Sequence, residues 1–286
     1  MTATRRIRPP AVAGTFYPAN PDELARGVDD ALAAAALTAA DLELPPPCAL
    51  IAPHAGHRYS GPIAASAYVR LLPVAGSIRR VVLLGPAHRV GLRALGVSSA
   101  DAWRTPLGDV PIDAELRARA LHDPAVEVHD RAHAPEHSLE VHLPFLQRVL
   151  APGWSLLPLV VGRATPEQVS RVLDLVWDEP ATLVVVSTDL SHYHPYDEAV
   201  RLDRATAAAI VAGRSDIEPT SACGAHPLCG LLRASGERGL DITLLDLRCS
   251  GDTFGDRREV VGYAAFALTP SEPPTGRVDE PAEACG

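Results

Sequence analysis

The chain has no lysine, so all 26 of its basic residues are arginines. That absence removes a Schiff-base lysine, a phosphate-loop lysine and a lysine general base from the chemistry available to it. Long apolar runs are missing too, and no uninterrupted stretch approaches the ~18 residues of a membrane-spanning helix. Three arginines lie between Met1 and Pro10, but no apolar segment follows them, so the N-terminus does not read as a secretory signal. A cytoplasmic location is the expectation. Net positive charge is also absent. At −9 the chain lacks the clustered cations that displace counterions in a nucleic-acid groove.

Cysteine pairing patterns are likewise missing. Cys48, Cys223, Cys229, Cys249 and Cys285 form no CxxC pair and fit no zinc ribbon or finger. An odd count without a secretory signal predicts reduced thiols rather than a disulfide framework. What the chain does have is apolar content of 47% in 286 residues, ample for one large core or two small ones.

After a proline-rich arm, RIRPPAVAGTFYPANPDEL, a helix is predicted from Asp22 to Ala36. Apolar runs at Cys48–Ala52, Val81–Leu84, Leu156–Val161 and Thr182–Ser187 read as strands. TLVVVS has no alternation, as in strands buried on both faces. Shorter β-type runs lie near Leu95–Ser98 and Val126–His129. Helices are predicted over His137–Leu150, from the capping box Thr165-Pro-Glu-Gln168 to Trp177, over Tyr196–Ala212 and over Ser221–Ala234. DITLLDL and VVGYAAFAL follow as strands. The alternation predicts a single α/β domain over residues 1–270, with a central, largely parallel sheet covered by helices on both faces. Residues 271–286 read as a disordered tail.

Position is the informative feature of the histidines, because open α/β sheets bind ligands beyond the carboxyl ends of their strands. CALIA ends in Pro-His-Ala-Gly, which puts His54 just past a strand. VVLL ends in Gly-Pro-Ala-His88. TLVVVS ends in Thr-Asp-Leu-Ser-His, bringing Asp189 and His192, and DITLLDL ends in Arg-Cys-Ser-Gly-Asp, bringing Cys249 and Asp252. Four strands thus deliver metal-competent groups to one rim, where glycines and prolines allow close approach.

In EHSLEVHLP, His137 and His142 are five apart, so one metal does not take both from a helix. Glu136 and His137 are expected to line the pocket, while His142 is either a core histidine or a site residue. Cys223 and Cys229 flank a predicted helix start, where a thiolate would meet the helix dipole. Cys229 reads as a small core residue, and Cys223 stays open between the two roles.

Together GTFYP, APHAGHRYSG, LLGPAHRV, EHSLEVHLPFLQ, STDLSHYHPYDEA, ACGAHP and SGDTFGDRREVVGYAAFAL resemble the Memo-like family, whose microbial members are called AmmeMemoRadiSam system protein B. The resemblance runs in order from Val12 to Leu268 and implies a fold similar to class III extradiol dioxygenases, which are non-haem iron enzymes. By that resemblance His54 and His88 are the first two metal positions, for Fe(II) or copper. Asp189 and His192 are the catalytic pair, with His192 as acid/base. The cysteine of animal members aligns near Thr253, so Cys249, or Asp252 after a loop shift, would complete the site.

Two functions follow as expectations. One is a metal-dependent redox enzyme. The other is a non-catalytic binding or scaffold protein that uses the pocket for a peptide or small anion, with an AMMECR-like protein and a radical-SAM protein as partners. A zinc hydrolase ranks below both, because no ligand trio has the spacing for one.

Overall fold

The computed structural model describes residues 5–39, 43–177 and 181–271. In chain order the first elements are β1 (Ile7–Arg8), α1 (Pro21–Ala39), β2 (Ala49–Ala52) and α2 (His57–Tyr68). Next come β3 (Arg80–Pro86), β4 (Leu95–Val97), β5 (Ala102–Thr105), β6 (Gly108–Pro111), α3 (Ala114–Ala120), β7 (Val126–Val128) and α4 (Asp130–His133). The middle of the chain supplies α5 (Leu143–Val149), β8 (Ser155–Val161), α6 (Pro166–Val176) and β9 (Thr182–Ser187). The last elements are β10 (His192–His194), α7 (Tyr196–Val211), α8 (Ala225–Glu237), β11 (Leu240–Cys249), α9 (Ser250–Thr253) and β12 (Val260–Pro270).

The main sheet runs β10-β12-β2-β9-β3-β8-β4-β7, with β11 also paired to β12. Its centre, β2-β9-β3-β8, is parallel as the alternation of strands and helices predicts. Its flanks are not. β12 is antiparallel to β2, β10 and β11, and β4 is antiparallel to β8, so the sheet is mixed. Because β11 and β2 both oppose β12, they point the same way, and the ends of β2, β3, β9 and β11 reach one rim. A separate small sheet joins β1, β5 and β6.

Alternate residues of the central strands divide between two cores, as the two-residue period of a strand requires. Leu50, Val81, Leu83 and Val185 pack with residues of α1, α2 and α5. Ile51, Val82, Leu84, Val184 and Val186 pack with residues of α3, α6, α7 and α8. Helices therefore cover both faces of one domain. At α6 the Thr165 hydroxyl accepts from the Gln168 N–H, the Gln168 side chain accepts from the Thr165 N–H, and Pro166 starts the helix.

Two helix starts differ from the sequence reading. Between His137 and Leu150 the α-helix begins only at Leu143, after a 3-10 turn at Glu140–His142. Pro144 is the physical reason. It has no N–H to donate and would crowd the carbonyl of Glu140, so it suits a first turn and not an interior. Likewise α8 starts at Ala225, leaving Cys223 in the turn before it. No helix among the described residues is long and apolar enough to cross a membrane. The predicted tail falls, apart from Ser271, outside the described residues.

Candidate metal centre

Three strand ends converge. β2 delivers His54, β3 delivers His88, and the turn after β9 delivers Asp189. The ligand atoms of His54, His88 and Cys223 all lie within 4.8 Å of one another. Cys223 reaches them from the turn before α8, its Sγ standing 3.3 Å from His54 Nε2 and accepting from the Asp189 N–H at 3.4 Å. Gly224 makes that approach possible, since a β-carbon there would collide with the Ser187 carbonyl oxygen.

Hydrogen bonds set the tautomers. The Ser187 hydroxyl, at the end of β9, donates to the Ser138 carbonyl at 2.7 Å, so towards His54 Nδ1 at 2.5 Å it can only accept. The His54 proton is therefore on Nδ1, and Nε2 presents a lone pair to Cys223. His54 is 2% exposed, and burial, followed by the neighbouring His88 and His137, holds its pKa well below the ordinary value. It is neutral near pH 7, the form that binds metals.

His88 is oriented by Glu136. The carboxylate accepts from the His88 N–H at 2.6 Å and from His88 Nδ1–H at 3.0 Å, leaving Nε2 with the lone pair. The same carboxylate accepts from the backbone N–H of His137 and of Ser138, at 2.9 and 3.0 Å. Burial alone would raise the Glu136 pKa, but these donors and the His137 and His88 rings hold it far below the usual carboxylate range. His88, Glu136 and His137 form a second close group. Glu136 is already saturated by donors, however, which suits it to orienting His88 better than to ligating an ion.

Asp189 accepts from the His54 backbone N–H at 2.7 Å, and its other oxygen is 4.0 Å from His54 Nε2. Burial lifts its pKa to about 6, against the lowering pull of that hydrogen bond and of His192, His137 and His88. Burial, then the Asp189 charge, pushes the Cys223 thiol up to about 12. A thiolate held by the helix dipole, one of the two roles left open for Cys223, is outweighed by burial and the Asp189 charge. His192 Nδ1–H donates to the Leu190 carbonyl at 2.8 Å, so its Nε2 is the acceptor.

Asp189, His192 and His137 line a cleft of about 530 Å³ with Phe16, Tyr59, Tyr193, Ser250, Phe254 and Tyr263. Phe16 packs on His137, ring centroids 4.5 Å apart. The proline-rich arm that carries Phe16 is tied down by Glu140, which is fully buried. Glu140 takes hydrogen bonds from Arg8, the N–H groups of Ala11 and Val12, and the Tyr17 hydroxyl at 2.5–3.0 Å.

The structure places the expected third ligand, Cys249, away from these groups. Cys249 is 1% exposed, packed with Ala199, Val260 and Tyr196, and belongs to neither close group. β11 ends at Cys249, which packs against α7, and the cleft is lined instead by Ser250, the first residue of α9. The alternatives in the same loop are occupied too. Asp252 accepts from the Cys249 N–H and the Tyr196 hydroxyl, and Thr253 Oγ1 donates to the Ser250 carbonyl. His142 is a core residue, its Nδ1 paired with the Tyr68 hydroxyl at 2.8 Å and burial pushing its pKa down to about 3. Sequence reasoning missed Ser187, although it is the polar residue closing the TLVVVS strand. It also missed Glu140 and the aromatic lining, for which no local pattern exists.

Comparison with known proteins identifies the family. The family model described as Memo-like protein matches residues 8–267. A MEMO1 family protein of Methanopyrus kandleri is 38% identical over 280 residues, covering 91% of this chain and 98% of its own. One from Aquifex aeolicus is 38% identical over 272 residues, covering 90% and 97%. Among solved structures, an uncharacterized Escherichia coli K12 protein superposes with a TM-score of 0.50 at 15% identity, covering 77% of this chain and 98% of its own, a likeness of fold alone. With the family model spanning the domain and full-length relatives above 30% identity, this chain belongs to the Memo-like family.

Proposed function

We propose that the protein is a metal-binding protein of redox type, holding Fe(II) or copper on His54, His88 and Cys223. The observation that carries this reading is that two imidazoles, each with its proton fixed on Nδ1, and one thiol bring their ligand atoms within 4.8 Å of one another. Two nitrogens and a sulfur form a donor set suited to soft or borderline first-row metals. Mutual spacing of this order is what ligands around one ion require, since metal–ligand bonds run to about 2.0–2.3 Å. In the metal-free protein the thiol hydrogen-bonds to His54 Nε2, and metal binding replaces that proton.

A redox-active ion at this place supplies one-electron chemistry and Lewis acidity beside the cleft. The chain's own groups then have distinct tasks. Ser187 and Glu136 keep the imidazoles aimed. Asp189 and His192 stand at the cleft floor, where a ligand's proton can pass to Asp189 Oδ2 or His192 Nε2. Phe16 and Tyr263 exclude water from its walls. The free thiols fit a reducing compartment, so we place the protein in the cytoplasm.

The test is metal content by elemental analysis after anaerobic purification and reloading with Fe(II) or Cu(I). Wild type should retain about one ion per chain, His54→Ala with His88→Ala none, and Cys223→Ser much less. Full occupancy in the double variant would overturn the reading.

A further inference from the structure

We propose that Tyr193 is a specificity-determining residue of the cleft, whose ring stacks on a planar aromatic ligand bearing a hydroxyl or amine hydrogen. This concerns the cleft itself and does not depend on the metal reading.

Three independent observations converge on this residue. Tyr193 has φ of 60°, and among the described residues it is the one non-glycine with positive φ. A bulky side chain in the left-handed region is strained, and such strain persists where a site requires it. The strain has a local cause. His192 pairs with Val261 and His194 with Val260, so Tyr193 is the extra residue of a bulge. In a regular strand its ring would point away from the face His192 uses, but the bulge keeps both side chains on the cleft.

The second observation is exposure. The chain is poor in aromatics, at 5% of residues. Among the described residues only two aromatic side chains are exposed, Tyr193 at 71% and Phe254 at 56%, and both line this cleft. Chance placement of the two would not favour one opening.

The third is the surrounding chemistry. Phe16, Tyr59 and Tyr263 share the lining. Tyr59 meets Phe254 edge-on at 5.0 Å, and the Arg58 guanidinium lies over both rings, which holds that wall rigid. Aromatic faces select planar rings by stacking, whereas saturated rings gain only contact area. At the floor His192 Nε2 and the Asp189 carboxylate are acceptors, so a ring with an O–H or N–H donor completes the match.

The experiment compares phenol with cyclohexanol, which match in size and hydroxyl count and differ in planarity. Both are titrated by NMR shift perturbation into chelator-treated and into metal-loaded protein. Wild type is expected to prefer phenol about fivefold, the measure of one aromatic contact. Tyr193→Phe keeps the preference. Tyr193→Asn erases it while holding or raising Tm, because asparagine enters the left-handed region more readily. Equal binding of the two probes by wild type, no saturable phenol binding, or a preference intact in Tyr193→Asn would each overturn the proposal. The wild-type comparison decides even if the asparagine variant is unstable. If the protein takes up no metal on reloading, that failure removes only the metal reading, and a phenol preference leaves this proposal standing.

Discussion

Acidification from pH 8 to 5 should destabilise the metal-free protein by several kcal/mol, through histidines that are buried (His133, His142) or partly buried (His57). Burial pushes His57 and His133 down to about 4 and His142 to about 3. In the unfolded chain the same imidazoles titrate at the ordinary value, near 6.5. Below that value the unfolded state takes up a proton that the folded state refuses, so stability is complete above pH 6.5 and is lost as pH falls towards the folded pKa. Each imidazole then costs about 2 kcal/mol between pH 8 and 5, about 6 kcal/mol for three. Asp189 works the other way. Its raised pKa of about 6 is a folded-state cost at high pH that is relieved by protonation, returning about 1.5 kcal/mol over the same interval. The net loss is about 4.5 kcal/mol, a large share of a typical domain's stability. His54, also shifted down, adds to it. Urea unfolding followed by circular dichroism at pH 8, 7, 6 and 5 measures the slope. His133→Gln should flatten it by about 2 kcal/mol, since the amide can still donate to the Gly96 carbonyl that His133 Nε2 now reaches at 2.9 Å. A flat profile in wild type, or an unchanged slope in the variant, would refute the reasoning.

Other outcomes follow from named contacts. Ser187→Ala releases the His54 tautomer and should weaken metal affinity about 10–100-fold, whereas Cys249→Ser should leave affinity unchanged; competition with a chromophoric chelator reads both. Glu140→Ala strands Arg8 in a buried site and should cost about 3–5 kcal/mol in urea unfolding; a loss under about 1 kcal/mol would show that water compensates. Gly230→Ala puts a methyl into Val169 across the α6–α8 contact and should cost about 1–3 kcal/mol; a neutral result would mean that the helices part freely.

The central strands were legible because they are buried on both faces, and their unbroken apolar runs have no other use in so short a span. Once strand ends were known, His54, His88, Asp189 and His192 were legible as well, since a parallel sheet puts its polar turns on one rim. Strand direction at the flanks was not. VVGYAAFAL has the same local pattern whichever way it runs, and only its register with β2 and β11 makes it antiparallel. The small sheet escaped because β1 has two residues and β5 and β6 four each, too few for a periodicity to show. Cys249 follows from the resemblance, which points to the loop near Thr253, and nothing local marks Cys223 as the thiol that reaches His54. Which thiol turns inward depends on β11 ending at Cys249 against α7 and on the approach that Gly224 permits, both of which are tertiary facts.

The clamp on Glu140 has a consequence for biosynthesis. Arg8 and Glu140 are 132 positions apart, so the arm leaves the ribosome long before its anchoring carboxylate exists. Phe16 cannot take its place against His137 until that carboxylate has emerged. Cys223 is made later still, and β2 waits for β12 to complete the sheet. A nascent chain therefore offers His54 and His88 without their thiol and without a closed wall. On the proposed metal reading, an ion would be loaded after release, when β12 has joined β2.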